Sequence, residues 1–183
     1  MVGARGCGLS STSTLGQNCH GFRVHNTESG RIQYAELHAH TNFSFLNGAS
    51  HPEEMISQAS ELGLSALAVT DHNGVYGAVR FARAASDSGL KSIIGMELTL
   101  AGGYHITLLA RDRAGYANMC RLATKAHRCS SGRKPTLPFE DLSGYTTGLV
   151  ALSGCCRGEI PAAALKGDLD HAAKLTADYS ALF

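Results

Sequence analysis

The sequence predicts an α/β fold in which the strands of a parallel sheet, open or closed as a barrel, alternate with helices. Predicted strands begin at residues 34, 66 and 92, and these spacings of 32 and 26 residues approach the roughly 30 residues of a β-α-β unit. The run Ala66–Val69 is apolar throughout, as in a strand that is covered on both faces. Between the strands, apolar residues recur at helical spacing.

The first predicted strand covers residues 34–38, and a helix follows it. Ser50 and Glu53 have the spacing of a capping box at the start of this helix, and Gly63 is a signal for its end. Its expected apolar stripe consists of Met55, Ala59 and Leu62. After the second strand at 66–69, a second helix is predicted to end near Gly89, with an apolar stripe of Val75, Val79 and Ala82.

Three further strands are predicted at 92–94, 104–109 and 148–153. A long third helix lies between the fourth and fifth strands, and its apolar positions are Met119, Leu122 and Ala126. Residues 130–147 have the Pro and Gly content of a loop. Two short helices are expected to close the chain.

Composition excludes several classes of protein. The 183 residues are 44% hydrophobic and 17% charged, which suits one globular domain rather than a disordered chain. No apolar run reaches the roughly 18 residues that a membrane-spanning helix needs. The 16 basic and 15 acidic residues lack the excess typical of a nucleic-acid-binding domain, although a local basic patch is compatible with this total. Six cysteines without a C-x-x-C pair favour a reducing compartment.

Residues 1–33 differ from the rest of the chain. They are rich in Gly, Ser and Thr and show almost no apolar periodicity, so we expect a disordered leader or an over-extended gene start. Three arginines against the single acid Glu28 leave an organelle transit peptide as the alternative. The predicted organisation is therefore a leader at 1–33 and one domain at 34–183.

Metal-ligating side chains stand at the ends of the predicted strands, where α/β folds gather functional groups. They are His38 and His40 on the first strand, Asp71 and His72 after the second, Glu97 just past the third, His105 at the head of the fourth, and Cys155 past the fifth. Alternate residues of a strand leave the same face, so His38 and His40 can reach one centre. Imidazole, carboxylate and thiolate are ligands of zinc, manganese and iron.

Each of these residues also has a purely structural interpretation. Asp71 suits a helix cap, His105 a buried core position, and Cys155 with Cys156 a pair of small buried hydrophobes. Glu97 alone would resemble a surface carboxylate. Their joint placement at strand ends favours a metal site over five independent structural explanations.

Three short motifs and three longer strings carry a family resemblance. The motifs are H-A-H-T at 38–41, T-D-H at 70–72 and G-M-E at 95–97, and the strings cover residues 43–54, 108–112 and 153–161. Together they resemble the PHP (polymerase and histidinol phosphatase) family, and most of all the N-terminal PHP domain of bacterial DNA polymerase III alpha subunits of the error-prone branch. The resemblance runs from about residue 34 to residue 183.

The resemblance implies a PHP-type (β/α)7 barrel with parallel strands and a metal cluster at their carboxyl ends. The residues at ligand positions are His38, His40, His72, Glu97, His105 and Cys155. Asn47 stands where the family commonly has an Asp ligand, and an amide oxygen without charge should weaken the metal it serves. The family's later Asp-x-His pair has no counterpart, because we interpret Asp168–His171 as the solvated face of a helix, so we expect a barrel truncated before its last strands.

The implied activity is that of a divalent-metal phosphoesterase, including 3′–5′ exonuclease proofreading, within a DNA-directed DNA polymerase. Glu97 is expected to bridge metals, and Asp71 to orient a ligand, as the two catalytic residues. The expected metal is Zn²⁺ or Mn²⁺, with Mg²⁺ serving a polymerase part outside this chain. A non-catalytic structural module and a stand-alone phosphatase remain alternatives.

The resemblance also implies partners and a location. We expect DNA bound through the rest of the polymerase, replication or translesion accessory proteins, no membrane and a cytoplasmic location. The isolated chain, with its incomplete ligand set, is expected to bind divalent metal weakly and to hydrolyse phosphodiesters slowly or not at all.

Overall fold

The computed structural model of the chain describes residues 34–129 and 134–183. The expectation of a leader at 1–33 lies outside the described residues. The described elements, in chain order, are β1 (Ala35–Glu36), α1 (Pro52–Glu61), β2 (Ala66–Val69), α2 (Ala78–Ser88), β3 (Lys91–Thr99), β4 (His105–Ala110), α3 (Arg113–Cys129), a 3-10 turn (Phe139–Leu142), β5 (Leu149–Leu152), α4 (Glu159–Leu165) and α5 (Leu169–Leu182). None of the described helices is long and apolar enough to span a bilayer.

The five strands form one sheet in the order β1-β2-β3-β4-β5. The first three strands are parallel, but β4 runs antiparallel to β3 and β5 runs antiparallel to β4. The predicted α/β class is confirmed, whereas the prediction that all strands are parallel is wrong for β4, which runs opposite to the other four strands. The reason is the short turn at residues 100–104, because a parallel connection needs a crossover of a dozen or more residues.

Strand β3 extends well beyond the predicted residues 92–94. Its first half, 91–94, pairs with β2, and its second half, 95–99, pairs with β4. Glu97 therefore lies inside the strand and not just past it, which corrects the prediction. Gly95 stands where the strand changes partner, and a Cβ there would lie 2.7 Å from the Leu108 carbonyl oxygen. The absence of a side chain at this position allows the two strands to approach.

The helices occupy the predicted segments but turn partly different faces to the core. In α1 the buried apolar side chains are Ile56 and Ala59, while the predicted core residue Leu62 is 66% exposed. In α2 they are Ala78, Phe81 and Ala85, while the predicted core residue Val79 is 77% exposed. The predicted stripe of α3 is confirmed, since Met119, Leu122 and Ala126 are fully buried.

Two helix ends also differ from the prediction. The N-cap of α1 is His51, and the Glu54 carboxylate accepts a hydrogen bond from the His51 backbone N–H at 2.7 Å, so the capping box lies one residue later than Ser50 and Glu53. Helix α5 has 14 residues and is not short. Asp168 caps it by accepting from the His171 backbone N–H, and residues 168–171 are exposed, which confirms their interpretation as a solvated face.

Two apolar clusters hold these layers together. The first lies around β3, β4 and α3, with Met96, Leu98, Leu108 and Leu122 at its centre. The second joins α1 and α2 to β2 through Ile56, Leu67, Val69, Phe81 and Ala85. Both clusters cover the sheet and leave its carboxyl edge at β1 and β2 free for polar side chains.

We expect Gly95→Ala to lower the free energy of unfolding by about 1–3 kcal/mol, the usual range for overpacking a filled interior. The added methyl would meet the Leu108 backbone and the Leu109 side chain, both at 2.7 Å. Urea denaturation monitored by circular dichroism measures the change. Lys91→Ala, on the exposed first residue of the same strand, is the control and should have little effect. Equal stability of the two variants would contradict the proposed close approach.

Candidate metal centre

Residues of four strand ends meet at one edge of the sheet. His38 and His40 follow β1, Asp71 and His72 follow β2, and Glu97 lies in β3 beside them. The His72 and Glu97 backbones are bridged, with the Glu97 N–H donating to the Asp71 carbonyl oxygen at 3.0 Å. Because β4 is antiparallel, its first residue, rather than its last, stands at this edge. The reversal of the chain therefore brings His105 to the others.

The Glu97 carboxylate lies at the centre of four imidazole rings and is 1% exposed. Oxygen Oε2 lies 2.5 Å from His38 Nε2 and 3.8 Å from His40 Nε2. Oxygen Oε1 lies 2.9 Å from His72 Nδ1 and 2.5 Å from His105 Nδ1. Each oxygen of the single carboxylate thus faces its own pair of histidines.

The carboxylate is held in its charged form. Burial alone would raise the pKa of Glu97, but the hydrogen bonds to His38 and His72, together with the nearby histidine charges, outweigh burial and hold the pKa well below its usual range. In return, the hydrogen bond to Glu97 raises the pKa of His38 above its ordinary value, against the opposing effect of burial. A metal bound here would take the place of the proton that His38 shares with Glu97.

Two other rings favour the neutral form that a metal ligand requires. Burial lowers the pKa of His40 and also that of His105, in both cases against the attraction of Glu97. Two buried ring nitrogens, His40 Nδ1 and His72 Nε2, have no hydrogen-bond partner within the described part of the chain. Imidazole nitrogens beside an ionised carboxylate are a donor set that can hold a divalent metal ion.

The same atoms form two groups of three ligands that share Glu97. His38, His40 and Glu97 make one group, and His72, Glu97 and His105 make the other, with the ligand atoms of each group within 4.8 Å of one another. Neighbouring rings of the four are packed at centroid distances of 4.8, 4.5 and 5.4 Å. This donor set fits a divalent metal ion, which the residues of either group could hold, and Glu97 would be a ligand in both cases.

The family model of the PHP domain matches residues 36–183. The chain belongs to the PHP-domain family. It is 46% identical over 168 residues to an error-prone DNA polymerase of Symbiobacterium thermophilum, covering 83% of this chain and 16% of the relative. It is 47% identical over 135 residues to an error-prone DNA polymerase of Anaeromyxobacter sp. (strain K), covering 66% of this chain and 12% of the relative. The chain thus spans about a seventh of the length of these curated relatives.

Solved structures give a weaker match to this PHP domain. An amidohydrolase from Chromobacterium violaceum aligns with 51% of this chain and 33% of its own chain, at 29% identity and a TM-score of 0.44.

Asp71 organises the PHP site without touching a histidine ring in the described contacts. Its buried carboxylate accepts hydrogen bonds from the Thr41 backbone N–H, the Thr41 hydroxyl and the Ser44 hydroxyl, at 2.8, 2.8 and 2.6 Å. Ser44 Oγ in turn accepts from the His72 backbone N–H at 3.1 Å. Asp71 therefore ties the segment after His40 to the segment that carries His72.

Two sequence-predicted ligands lie apart from the two groups. The Asn47 side chain is exposed, and its amide nitrogen donates to the Phe45 carbonyl oxygen at 3.5 Å. Cys155 is half-buried, and its Sγ accepts a hydrogen bond from the Arg157 backbone N–H. Its loop does approach the site, since the Arg157 carbonyl oxygen accepts from the His105 backbone N–H at 3.0 Å. The Cys155 sulfur itself is not in either group.

Sequence reasoning did not identify four polar residues that support this PHP site. Thr41 and Ser44 donate hydrogen bonds to Asp71. The Asn73 side chain donates to the Thr99 hydroxyl and accepts from the Thr99 backbone N–H. Thr107 pairs directly with Glu97 across the strands, and its buried hydroxyl has no partner in the described ranges. Only Asn73 carried a local signal, the Asn-Gly turn pair, and its φ of +52° is in the left-handed region.

We expect Asp71→Ala to lower the free energy of unfolding by about 3 kcal/mol, because three hydrogen bonds to a buried carboxylate are lost and the Thr41 N–H is left without an acceptor. Urea denaturation monitored by circular dichroism measures the change. Asp141→Ala removes a carboxylate that makes a partly exposed ion pair with Lys125, and this control should change stability little. Similar losses in the two variants would contradict the organising role of Asp71.

Proposed function

We propose that this chain is the PHP domain of an error-prone, DNA polymerase III alpha-type DNA polymerase, and that its His/Glu centre is a divalent-metal phosphoesterase site. The observation that carries the proposal is the Glu97 carboxylate, whose two oxygens each face a different pair of histidines. The membership in the PHP family and the similarity to error-prone DNA polymerases support it. Hydrolysis of phosphodiesters, including 3′–5′ removal of nucleotides from DNA, is the reaction class.

Each residue of the centre has a definite task in this proposal. Divalent metal ions supply charge neutralisation at the phosphate and activation of water when they are bound. Glu97 is the shared ligand, and its low pKa keeps it ionised at neutral pH. His40 and His105 stay neutral and present lone pairs, since burial lowers their pKa values. Asp71 is the positioning residue that holds Thr41 and Ser44, and through Ser44 the backbone of His72.

The donor set limits the choice of metal. Four imidazole nitrogens and one carboxylate suit Zn²⁺ or Mn²⁺ better than Mg²⁺, which prefers oxygen ligands. We therefore propose Zn²⁺ or Mn²⁺ for this centre and reserve Mg²⁺ for the nucleotidyl-transfer site of the polymerase outside this chain. In the same proposal Asn47 and Cys155 complete the ligand set only after their segments move, because their side chains are engaged with neighbouring backbone groups.

A second candidate function is a structural PHP module that binds metal, or none, without catalysis and packs against the polymerase body. Asn47 favours this candidate, because a neutral amide at a ligand position weakens metal binding. A stand-alone PHP phosphatase is a third interpretation, and the similarity to error-prone polymerases over most of the chain weighs against it. For the full-length protein we propose DNA and replication or translesion accessory proteins as partners, and a cytoplasmic location like that of bacterial replication.

The metal centre is tested by titrating the metal-free chain with MnCl₂ and with ZnCl₂ in a calorimeter. We expect Glu97→Gln to weaken binding about 100-fold or more, because loss of a shared ligand should cost at least the roughly 10–100-fold of losing an outer hydrogen-bond partner. The matched control is Glu140→Gln, an identical change at an exposed residue of the 3-10 turn, which should leave binding unchanged. Binding that survives Glu97→Gln would refute the shared-carboxylate centre.

Catalysis is tested separately with a chromogenic phosphodiester and a 3′-labelled oligonucleotide in the presence of Mn²⁺. The phosphoesterase proposal expects slow hydrolysis that needs the metal and disappears in Glu97→Gln but persists in Glu140→Gln. Metal binding without any hydrolysis would favour the structural module instead. Hydrolysis that is equal in both variants would have to come from elsewhere.

A further inference from the structure

The charges of this nearly neutral chain are unevenly distributed. Residues 113–139 contain six of the 16 Lys and Arg residues and none of the 15 Asp and Glu residues, so the remainder of the chain has ten basic against fifteen acidic residues. Most of the basic segment is α3, whose buried face packs on β3 and β4. Four of these six cations, Arg113, Arg121, Lys125 and Arg128, lie on α3, in a protein whose remaining sequence is acidic.

Three of these cations line one groove on the outer face of α3. Arg121, Lys125 and Arg128 follow one another at helical i, i+4, i+7 spacing. They line a surface groove of about 540 Å³ together with Thr124, Cys120 and Tyr145. Arg121 donates to the Asn118 side chain, and Lys125 pairs with Asp141. Arg128 has no hydrogen-bond or ion-pair partner among the residues that the structure describes. We call this the α3 groove.

The α3 groove continues towards the metal centre. A second groove of about 420 Å³ shares Cys120, Thr124 and Arg128 with it and reaches Asn73, Gly74 and Tyr76 on the other side of the helix. The end of α3 is anchored there, since His127 Nε2 donates to the Asn73 carbonyl oxygen at 2.9 Å. Asn73 is the residue directly after His72, a member of the metal centre. The two grooves share three lining residues and together extend from Tyr145 to Asn73, the residue next to His72; we call the two together the path.

We propose that this path binds single-stranded DNA and leads its end to the metal centre. A row of cations with hydroxyl groups suits a phosphodiester backbone, and a phosphate would compete with the partly exposed Asp141 carboxylate for Lys125 alone. Tyr145 lies beside the row, with Lys125 Nζ 5.8 Å from its ring centre, and a cationic groove next to an aromatic ring is the arrangement that binds unpaired bases. Delivery of the DNA end rests on the proposed phosphoesterase function, but DNA binding by the groove does not.

The test is fluorescence anisotropy of a labelled 20-nucleotide oligo-dT with the 183-residue chain, in EDTA and over a range of NaCl concentrations. The triple variant Arg121→Gln, Lys125→Gln, Arg128→Gln should raise the dissociation constant about 10-fold or more at low salt. The slope of log K against log[NaCl] should fall by about 2, since each lost phosphate contact on a single strand contributes about 0.7.

The control is a second triple variant with the same change in net charge, Arg83→Gln, Lys166→Gln, Lys174→Gln. Arg83 is exposed on α2, Lys166 at the end of α4 and Lys174 on α5, and none of the three lines the groove. We expect this variant to keep most of the affinity. An equal loss in the two triples, or no loss in the first, would overturn the groove assignment. Circular dichroism verifies that both variants are folded.

Two further measurements distinguish this proposal from binding of double-stranded DNA and from the phosphoesterase proposal. A 20-base-pair duplex should bind more weakly than the single strand, because its bases cannot stack on Tyr145, and equal affinity would overturn the single-strand assignment. The metal titrations of the unaltered chain, set beside its binding of oligo-dT in EDTA, are the second measurement. Failure of the metal titrations with intact DNA binding would refute the phosphoesterase proposal alone, and the reverse result would refute the groove alone.

Discussion

The arrangement of side chains at the carboxyl edge of β1 and β2 depends on the buried negative charge of Glu97. An ionised carboxylate is costly to remove from water unless charges and hydrogen bonds replace its hydration. Glu97 is almost fully buried in the middle of a strand, so its oxygens depend on the four imidazoles that surround it. Those rings come from segments after β1 and β2 and from the start of β4. Because all four face one carboxylate, the position of each segment depends on that of the others.

The pairing of strand β3 with two neighbouring strands brings these rings to Glu97. Strand β3 pairs with β2 up to Ile94 and with β4 from Gly95 onward, and Glu97 is paired with Thr107 of β4 while it is still bridged to His72. The antiparallel return then brings His105 to the same edge as His38, His40 and His72. Asp71 accepts three hydrogen bonds from Thr41 and Ser44, and Ser44 accepts one from the His72 backbone. Asp71 therefore holds the turn after His40 next to the segment that carries His72.

The metal centre and the α3 groove use charge in opposite ways. At the His/Glu centre, a buried carboxylate is surrounded by four imidazole rings, so its charge is local and weakly screened. On α3, exposed cations act through solvent and depend on salt, which suits reversible contact with a long polyanion. His127 connects the two regions through the backbone of Asn73, so their relative position is set by the packing of one helix end.

Local patterns were sufficient for the element types and for most members of the site. Three local predictions are confirmed: the strand at 66–69, the buried stripe of α3, and the ends of α1 and α2 at glycines. Backbone preferences and the periodicity of apolar residues decide these features. The histidine and carboxylate motifs at 38–40, 71–72 and 97 predicted which side chains meet. Helix faces were less predictable: Leu62 and Val79 are apolar but exposed, because the neighbouring side chains of Ile56 and Phe81 fill the core.

The sequence by itself therefore determined the α/β class, the PHP family and the histidine and carboxylate residues that lie together in the His/Glu cluster. Only the tertiary structure decided the direction of β4, the position of Glu97 inside β3, and the position of the Cys155 sulfur outside the two ligand groups. It alone also assembled Thr41, Ser44 and Asp71, and placed the cations of α3 in one groove. The physical reason is that these features depend on contacts between residues distant in sequence, which no local pattern records.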